Sequence, residues 1–394
     1  MSAEVGASKI DLAALDEARR NAVKESGWGT PFTIVQPRNA AFWVFAWGMV
    51  VGTVVLLQTF VPTVGAYGIA LGAGIVLFGI YTIPWLILLH HHNRYTSLPG
   101  KMLLFAFLWG AIPATFWMGL QANGAILGLY SKLFGNAWAG DWGPGFTAPF
   151  SEETAKACAL ILLLGLAPRL VRSAYDGLII GAYAGLGLQI SEDILYANNA
   201  GASRFGQDQI SAAIGIFVGR GSAGLFQHVL FSALMGAAIM WVIGRDGGGH
   251  RLRGLVLMAF TLVLHGSWDV FGALGNSVFG TPAGGYLVML ILAVVGSTVL
   301  VWCLRKAAVQ EMSWLRDLLA PEVARGVITE RELSAITGGR KQRKQYLKAT
   351  KGGPPKHILG ATMDLAEELA RAGGADSERV EYARSELARL HTAG

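Results

Sequence analysis

The sequence predicts an all-α protein: a polytopic membrane helix bundle of about eight transmembrane helices, with a helical cytoplasmic C-terminal tail. Three observations carry this expectation. Of 394 residues, 53% are hydrophobic and only 15% charged, whereas a soluble domain usually has about a quarter charged residues. Eight apolar runs reach the roughly 20 residues that a spanning helix needs. Polar and charged sequence gathers in residues 1–39 and 305–394. The expected organisation is therefore an N-terminal cytoplasmic segment (1–39), a membrane domain (40–304, with its motifs in 150–270) and a basic helical tail (305–394).

The spans are expected at about 40–61, 67–90, 102–120, 150–168, 176–197, 221–244, 253–273 and 285–304. Pro113 is expected to kink the third. Residues 1–38 are too polar for a cleavable signal peptide. Cys158 and Cys303 both lie in apolar runs, which argues against a disulfide framework. Lys and Arg in short loops set the orientation. With the N-terminus inside, the inner loops and flanks hold Arg94, Lys101, Arg169, Arg172, Arg245, Arg251 and Arg253, and the outer loops only Lys132, Arg204 and Arg220. A multi-pass cell-membrane protein with both termini in the cytoplasm follows.

The tail shows helical patterns at about 309–336, 357–372 and 377–391. Its run RKQRKQYLKATKGGPPK (340–356) has seven basic and no acidic residues. Beside a cytoplasmic leaflet this segment suits anionic lipid; a solvated basic linker fits equally. Nucleic acid is the weaker partner. The triplet His90–His91–His92 fans out around a helix axis, which fits an interfacial cap better than a metal site.

Ionisable residues inside spans are costly and usually functional. Glu152 and Glu153 enter the fourth span at its outer end. Glu192 lies sixteen residues beyond Asp176, roughly 24 Å along the fifth span. His228 falls two turns below the outer surface. His265 lies roughly 18 Å up the seventh span, with Asp269 one turn higher. Loop charges alone set the orientation, yet all these groups fall in the outer half. One polar site open to the outside, walled by spans four to seven, is the expectation. Gly177, Gly181 and Gly185, spaced by four with Gly187 beyond, allow close helix approach and would bring Glu192 near its partners.

Two imidazoles and several carboxylates suit a divalent metal, zinc above all. A water in the open position makes that set hydrolytic, with a second glutamate as its general base. A metal-free arrangement also works, with one glutamate activating water and histidines stabilising the oxyanion. Lys156 lies four residues after Glu152 and three after Glu153, so it can reach either; the paired glutamate is neutralised and the other stays poised. Asp269, four residues after His265, can be a ligand or can hold that imidazole by its second nitrogen.

The segments SEETAK, DGLIIGAYAGLGLQISED, GSAGLFQHVLFSALMG and LHGSWD resemble, in order, the four signature segments of the PrsW family of intramembrane proteases. That family is related to CAAX-prenyl proteases and bacteriocin-processing enzymes. Glu152 and Glu153 with Lys156 match its paired-glutamate motif. Glu192 matches the glutamate ending its glycine-rich helix, His228 the histidine of the third segment, and His265 with Asp269 the final His-x-x-x-Asn/Asp motif. The chain departs at Leu188, where the family has phenylalanine, and at Asp193, often asparagine. The resemblance implies cleavage of a membrane-anchored protein, such as a single-span anti-sigma factor, on its outer side. It implies catalytic roles for Glu152, Glu153, Lys156, His228, His265 and Asp269. A metal would sit on Glu192, His228 and His265. The family is usually called a metalloprotease, whereas the related group is argued to use glutamate alone. The outer loop 121–149, with the amphipathic AILGLYSKLFGNAW, is a lid or substrate guide, or rests at the interface. Two other classes remain: an ion- or proton-coupled transporter, and a catalytically silent scaffold working through its tail. The absence of ionisable residues from the inner halves of these spans, apart from end charges such as Asp176, counts against transport.

Overall fold

The structure, a computed structural model, describes residues 11–93, 98–245, 249–281, 283–349 and 355–392. Arg94 of the inner-loop set and residues 350–354 of the basic run lie outside the described residues. The helices, in chain order, are α1 (Leu12–Ser26), α2 (Ala40–Phe60), α3 (Val64–Asn93), α4 (Gly100–Trp109), α5 (Leu120–Phe134), α6 (Asn136–Asp141), α7 (Gly143–Leu166), α8 (Ala174–Ser203) and α9 (Gln209–Ala223). They continue as α10 (His228–Val242), α11 (Arg251–Asp269), α12 (Phe271–Phe279), α13 (Gly284–Ala324), α14 (Glu330–Thr337), α15 (Arg340–Ala349), α16 (Pro355–Arg371) and α17 (Glu378–Thr392). No strand occurs among the described residues. The chain divides into two compact units: one from Phe32 to Ala307, the other joining α1 to the chain from Ala308 onward.

In the larger unit α8 is the central helix. It packs against α10, α3, α4, α9, α7 and the π-helical turns Gly110–Gly119. Its Gly- and Ala-rich sequence is buried along most of its length, because small residues let neighbouring backbones close in. α2 and α3 instead expose Trp43, Trp47, Val50, Ile69, Ile80 and Ile87, the side chains expected to meet lipid. Pro113 sits inside the π-helical stretch rather than at a simple kink. It has no N–H to donate, and the winding widens around it.

Contacts fix the course of the chain. At the start of α2, Asn39 donates to the Gly165 carbonyl at the end of α7, 2.9 Å away. Just past its end, Thr63 donates to Asn198 near the end of α8, 3.2 Å away. α3 then returns along α8 until His92 Nδ1 stands 3.5 Å from the Tyr175 hydroxyl at the start of α8. α10 also runs antiparallel to α8: Gly185, Gly181 and Gly177 face His228, Ser232 and Gly236 in turn.

Among the described residues, five helical segments are long and apolar enough to cross a membrane, or six if α11 and α12, bent by 78°, form one span. The expected eight are not reproduced by length and composition. α2 and α3, expected as two spans, follow each other through the 3₁₀ turn Val61–Thr63 with no loop between and so count together as one apolar segment, Ala40–Asn93, although α3 turns back along α8. α7, the expected fourth span, carries Glu152, Glu153 and Lys156 in its interior. Other boundaries also move. The third span continues from α4 through the π-helical turns into α5 as Gly100–Phe134. The sixth begins at Gln209 rather than 221 and breaks at Gly224–Gln227, which puts His228 at the break between α9 and α10.

The smaller unit has its own apolar core. Ala22 and Trp28 pack with Trp314, Leu315, Leu318, Leu319, Ile358, Leu365, Leu369 and Leu387. The rings of Trp28 and Trp314 meet edge-on at 6.3 Å. α1 starts on an Asp11 N-cap and stops at Gly27, whose φ of 72° suits glycine. Parts of the expected N-terminal segment and of the expected tail, here Ala22 and Trp28 with residues from Trp314 to Leu390, thus share one core. The tail pattern expected at 309–336 is split between the end of α13 and α14. Between them Gly326 turns at φ 73°, and Thr329 with Glu332 forms a capping box that starts α14.

Candidate functional site

α7, α8, α10 and α11 each bring ionisable residues to the same end of the bundle, the end holding the first turns of α7. α8 and α10 can approach because Gly177, Gly181 and Gly185 have no side chain. A Cβ on Gly181 would stand only 2.0 Å from the Ser232 carbonyl oxygen. This contact puts Glu192, two turns beyond Gly185, beside His228.

The paired glutamates of α7 face different partners. Glu153 is enclosed: Lys156 donates to its Oε1 at 2.6 Å, and Ser232 Oγ donates to its Oε2 at 3.1 Å. Both Glu153 and Lys156 side chains are only 1% exposed. Glu152 points into a cavity of about 540 Å³. Its Oε1 accepts from Asn123 Nδ2 at 3.0 Å, and Ser151 Oγ donates to Asn123 Oδ1 in turn. Glu152 Oε2 is buried without a hydrogen-bond partner. It lies 3.6 Å from His228 Nδ1 and 3.8 Å from His265 Nε2.

The two imidazoles are held differently. His228 Nε2 lies 3.0 Å from Glu192 Oε2, and its Nδ1 3.2 Å from Lys156 Nζ. A carboxylate only accepts and an ammonium only donates, so the neutral ring carries its proton on Nε2. His265 is fully buried and stacked on Phe231 at 4.7 Å. Its Nδ1 is 3.0 Å from Glu153 Oε1 and its Nε2 3.4 Å from Asp269 Oδ2. Neither contact has hydrogen-bond alignment, so both ring nitrogens are close to carboxylates yet unpartnered.

Glu192 is engaged elsewhere. Arg220 Nη2 donates to the same Oε2, 2.6 Å away, while Arg220 Nε donates to Asp193 Oδ1. The guanidinium lies over the Tyr196 ring at 4.0 Å.

Glu152, His228 and His265 each offer a ligand atom, and these lie within 4.8 Å of one another. The residues fit a divalent ion. Two imidazoles and a carboxylate form a donor set of catalytic zinc sites. Glu152 Oε2 and the His265 nitrogens are buried and unpartnered. Five carboxylates (Glu152, Glu153, Glu192, Asp193, Asp269) also stand against two fixed cations, Lys156 and Arg220.

All seven site residues expected from the sequence gather here. Within them, Glu152 belongs to the group that can hold an ion, whereas Glu192 hydrogen-bonds His228 and Arg220. The sequence reading missed Arg220, Asn123 and Ser232. Arg220 reads as an outer-loop charge when the sixth span is taken to begin at 221; its place in the apolar run 209–223 is the signal that puts it in a helix. The triplet His90–His92 ends α3 and joins no ion-holding group among the described residues.

Helices this apolar, with an ionisable cluster enclosed among them, define a polytopic membrane protein with a chemically equipped interior. Residues 98–302 match the PrsW family intramembrane metalloprotease model, and the chain belongs to that family. The matched range spans every residue of the cluster. No curated protein and no solved structure matches the chain.

Proposed function

We propose that the protein is an intramembrane endopeptidase that hydrolyses a peptide bond of a membrane-anchored protein, a single-span regulator such as an anti-sigma factor being the substrate type. One observation carries the reading: Glu152 Oε2, buried and unpartnered, faces the cavity between two imidazoles. Water held by this oxygen loses a proton to Glu152 and attacks the peptide carbonyl carbon. The C–N bond then breaks, and the proton passes to the leaving amine. His265, whose ring nitrogens are unpartnered, is the imidazole that can donate to the developing oxyanion, while His228 Nδ1 faces the site as an acceptor. Lys156 neutralises Glu153, which leaves Glu152 as the base. Asp269 places its carboxylate beside His265 Nε2, 3.4 Å away. Alternatively, a divalent ion held by Glu152, His228 and His265 would supply a Lewis acid and a more acidic water, in place of Glu152 acting as free base.

The cavity wall includes Asn123, Gly124 and Leu127 of α5, which favours a guide role for the 121–149 segment. The alternating course of α2, α3, α4, α7, α8, α9–α10, α11 and α13 supports eight crossings. The loop charges support cytoplasmic termini and a site open to the outside. α15 buries none of its residues and displays Arg340, Lys341, Lys344 and Lys348. These suit anionic lipid, with nucleic acid the weaker partner.

The test uses purified protein in liposomes with a panel of single-span substrates. Wild type should cleave at least one of them. Glu152→Ala, His228→Ala and His265→Ala should abolish cleavage while remaining folded. Variants as active as wild type would end the catalytic reading, and cells carrying them that behave as wild type would favour the scaffold.

A further inference from the structure

Among the described residues Arg220 is the one strong cation in the cavity wall, and no signature segment includes it. It lies at the end of α9, four residues before the break that precedes α10. Its guanidinium bridges two adjacent carboxylates of α8, through Nη2 to Glu192 and through Nε to Asp193. A planar fork with divergent donors can make both bonds at once; a lysine ammonium is a single point charge. Tyr196, one turn further along α8, covers the guanidinium face. Arg220 is thus held from three sides, and only about a fifth of its side chain is exposed.

The oxygen that Arg220 grips is the one that meets His228. Glu192 Oε2 accepts both from Arg220 Nη2 and from His228 Nε2. A free Glu192 carboxylate could swing into the cavity, toward the ion-holding group of Glu152, His228 and His265. Held by Arg220, it presents one oxygen to His228 Nε2–H. That bond leaves Nδ1 unprotonated and facing Lys156 and Glu152. Carboxylates that hold the far nitrogen of a working histidine fix its tautomer and ring orientation. Here the carboxylate is itself fixed by an arginine.

We infer that Arg220 is a positioning residue: acting through Glu192, it locks His228 as the Nε2–H tautomer with Nδ1 directed at the Glu152 oxygen. Arg220 does not touch the reacting atoms. The inference deepens the protease reading, because it says how one histidine of that site is oriented.

The first experiment does not depend on cleavage. Full-length protein labelled with ¹⁵N-histidine is reconstituted in lipid, and ring-nitrogen shifts report each tautomer. The chain has eight histidines, and the His228 signals are those lost in His228→Gln. Wild type should show His228 as a single Nε2–H tautomer. Arg220→Met keeps an apolar stem without the guanidinium, and should give mixed or exchange-broadened His228 signals with the other histidines unmoved. Arg220→Lys should lie between. In a Glu192→Leu background, Arg220→Met should change His228 no further. If Arg220→Met does not fold, Arg220→Lys and Glu192→Gln carry the same comparison. His228 signals unchanged in Arg220→Met, or in Arg220→Lys where that comparison is used, would overturn the inference, whatever the protein cleaves.

A second arm uses turnover of any single-span substrate that wild type cleaves. Loss of an outer partner of a working histidine typically costs roughly 10- to 100-fold. Arg220→Met should lose that much kcat with KM changed less than about threefold, and Arg220→Lys should recover part of it. A change confined to KM would make Arg220 a substrate contact instead and overturn the positioning role.

Discussion

Gly181 offers the most direct test of how helix packing builds the site. A Cβ there would stand 2.0 Å from the Ser232 carbonyl oxygen. Carbon–oxygen contacts close to about 3.3 Å, so Gly181→Ala must part α8 from α10 by about 1.3 Å. The obstacle is backbone, so no rotamer relieves it. Overpacking of this kind costs about 1–3 kcal/mol, offset by up to about 1 kcal/mol from replacing a helical glycine. Stability should therefore fall modestly, by about 0–3 kcal/mol. Turnover should fall much further. Ser232 donates to Glu153 from 3.1 Å and His228 stands one turn away, so both move with α10. A displacement near 1 Å in a reacting constellation costs on the order of 100-fold. Gly72→Ala in α3 is the control, because nothing lies within 4 Å of its added methyl. Both variants would be compared with wild type by thermal unfolding in one detergent and by initial cleavage rate. Wild-type melting and turnover in Gly181→Ala would refute the close-packing argument.

Three further outcomes follow from the same geometry. Glu152→Gln should abolish cleavage with little change in unfolding. Glu153→Gln should destabilise by about 3–5 kcal/mol, because it strips a buried ammonium of its counter-charge; equal effects on melting would refute the division of labour. Any zinc bound to the purified protein, measured by elemental analysis, should survive Glu192→Gln and be lost with Glu152→Ala or His265→Ala, and the reverse pattern would return Glu192 to the ligand set. In the smaller unit, Glu322 is fully buried and accepts from Arg19 at 2.5 Å and from Arg384 Nη2 at 2.8 Å. Glu322→Gln should cost that unit about 3–5 kcal/mol, seen as faster proteolysis within 308–392; unchanged proteolysis would show that the arginines find other partners.

Much of this protein was legible as sequence. Apolar runs of about 20 residues announce membrane helices, because lipid cannot hydrogen-bond a bare backbone. Glu152, Glu153, Glu192, His228, His265 and Asp269 stood out because ionisable groups inside such runs are expensive. The four-residue glycine spacing foretold a close helix contact, since the α-helix returns to one face about every fourth residue. Local pattern was weaker at breaks. The interruption at Gly224–Gln227 contains apolar residues and no proline, so local pattern does not mark it and Arg220 reads as a loop residue. The turn at Gly326 and the capping box at Thr329 were visible in principle, but a continuous helical pattern masked them.

Tertiary structure alone decided how the polar residues divide their work. Spacing let Lys156 reach either glutamate; packing gave it Glu153, because Ser232 of α10 closes over that carboxylate and leaves Glu152 to the cavity. Spacing also could not say whether Glu192 serves an ion or a histidine, since that depends on Arg220 from a helix 17 residues away in sequence at its nearest end, Gln209 against Glu192. Residues 12–26 and 308–392 likewise share a core that no local pattern linked. The physical reason is common to all three. Periodicity records which face of a helix is apolar, while partners are chosen by distances between helices, and those are set only when the helices pack.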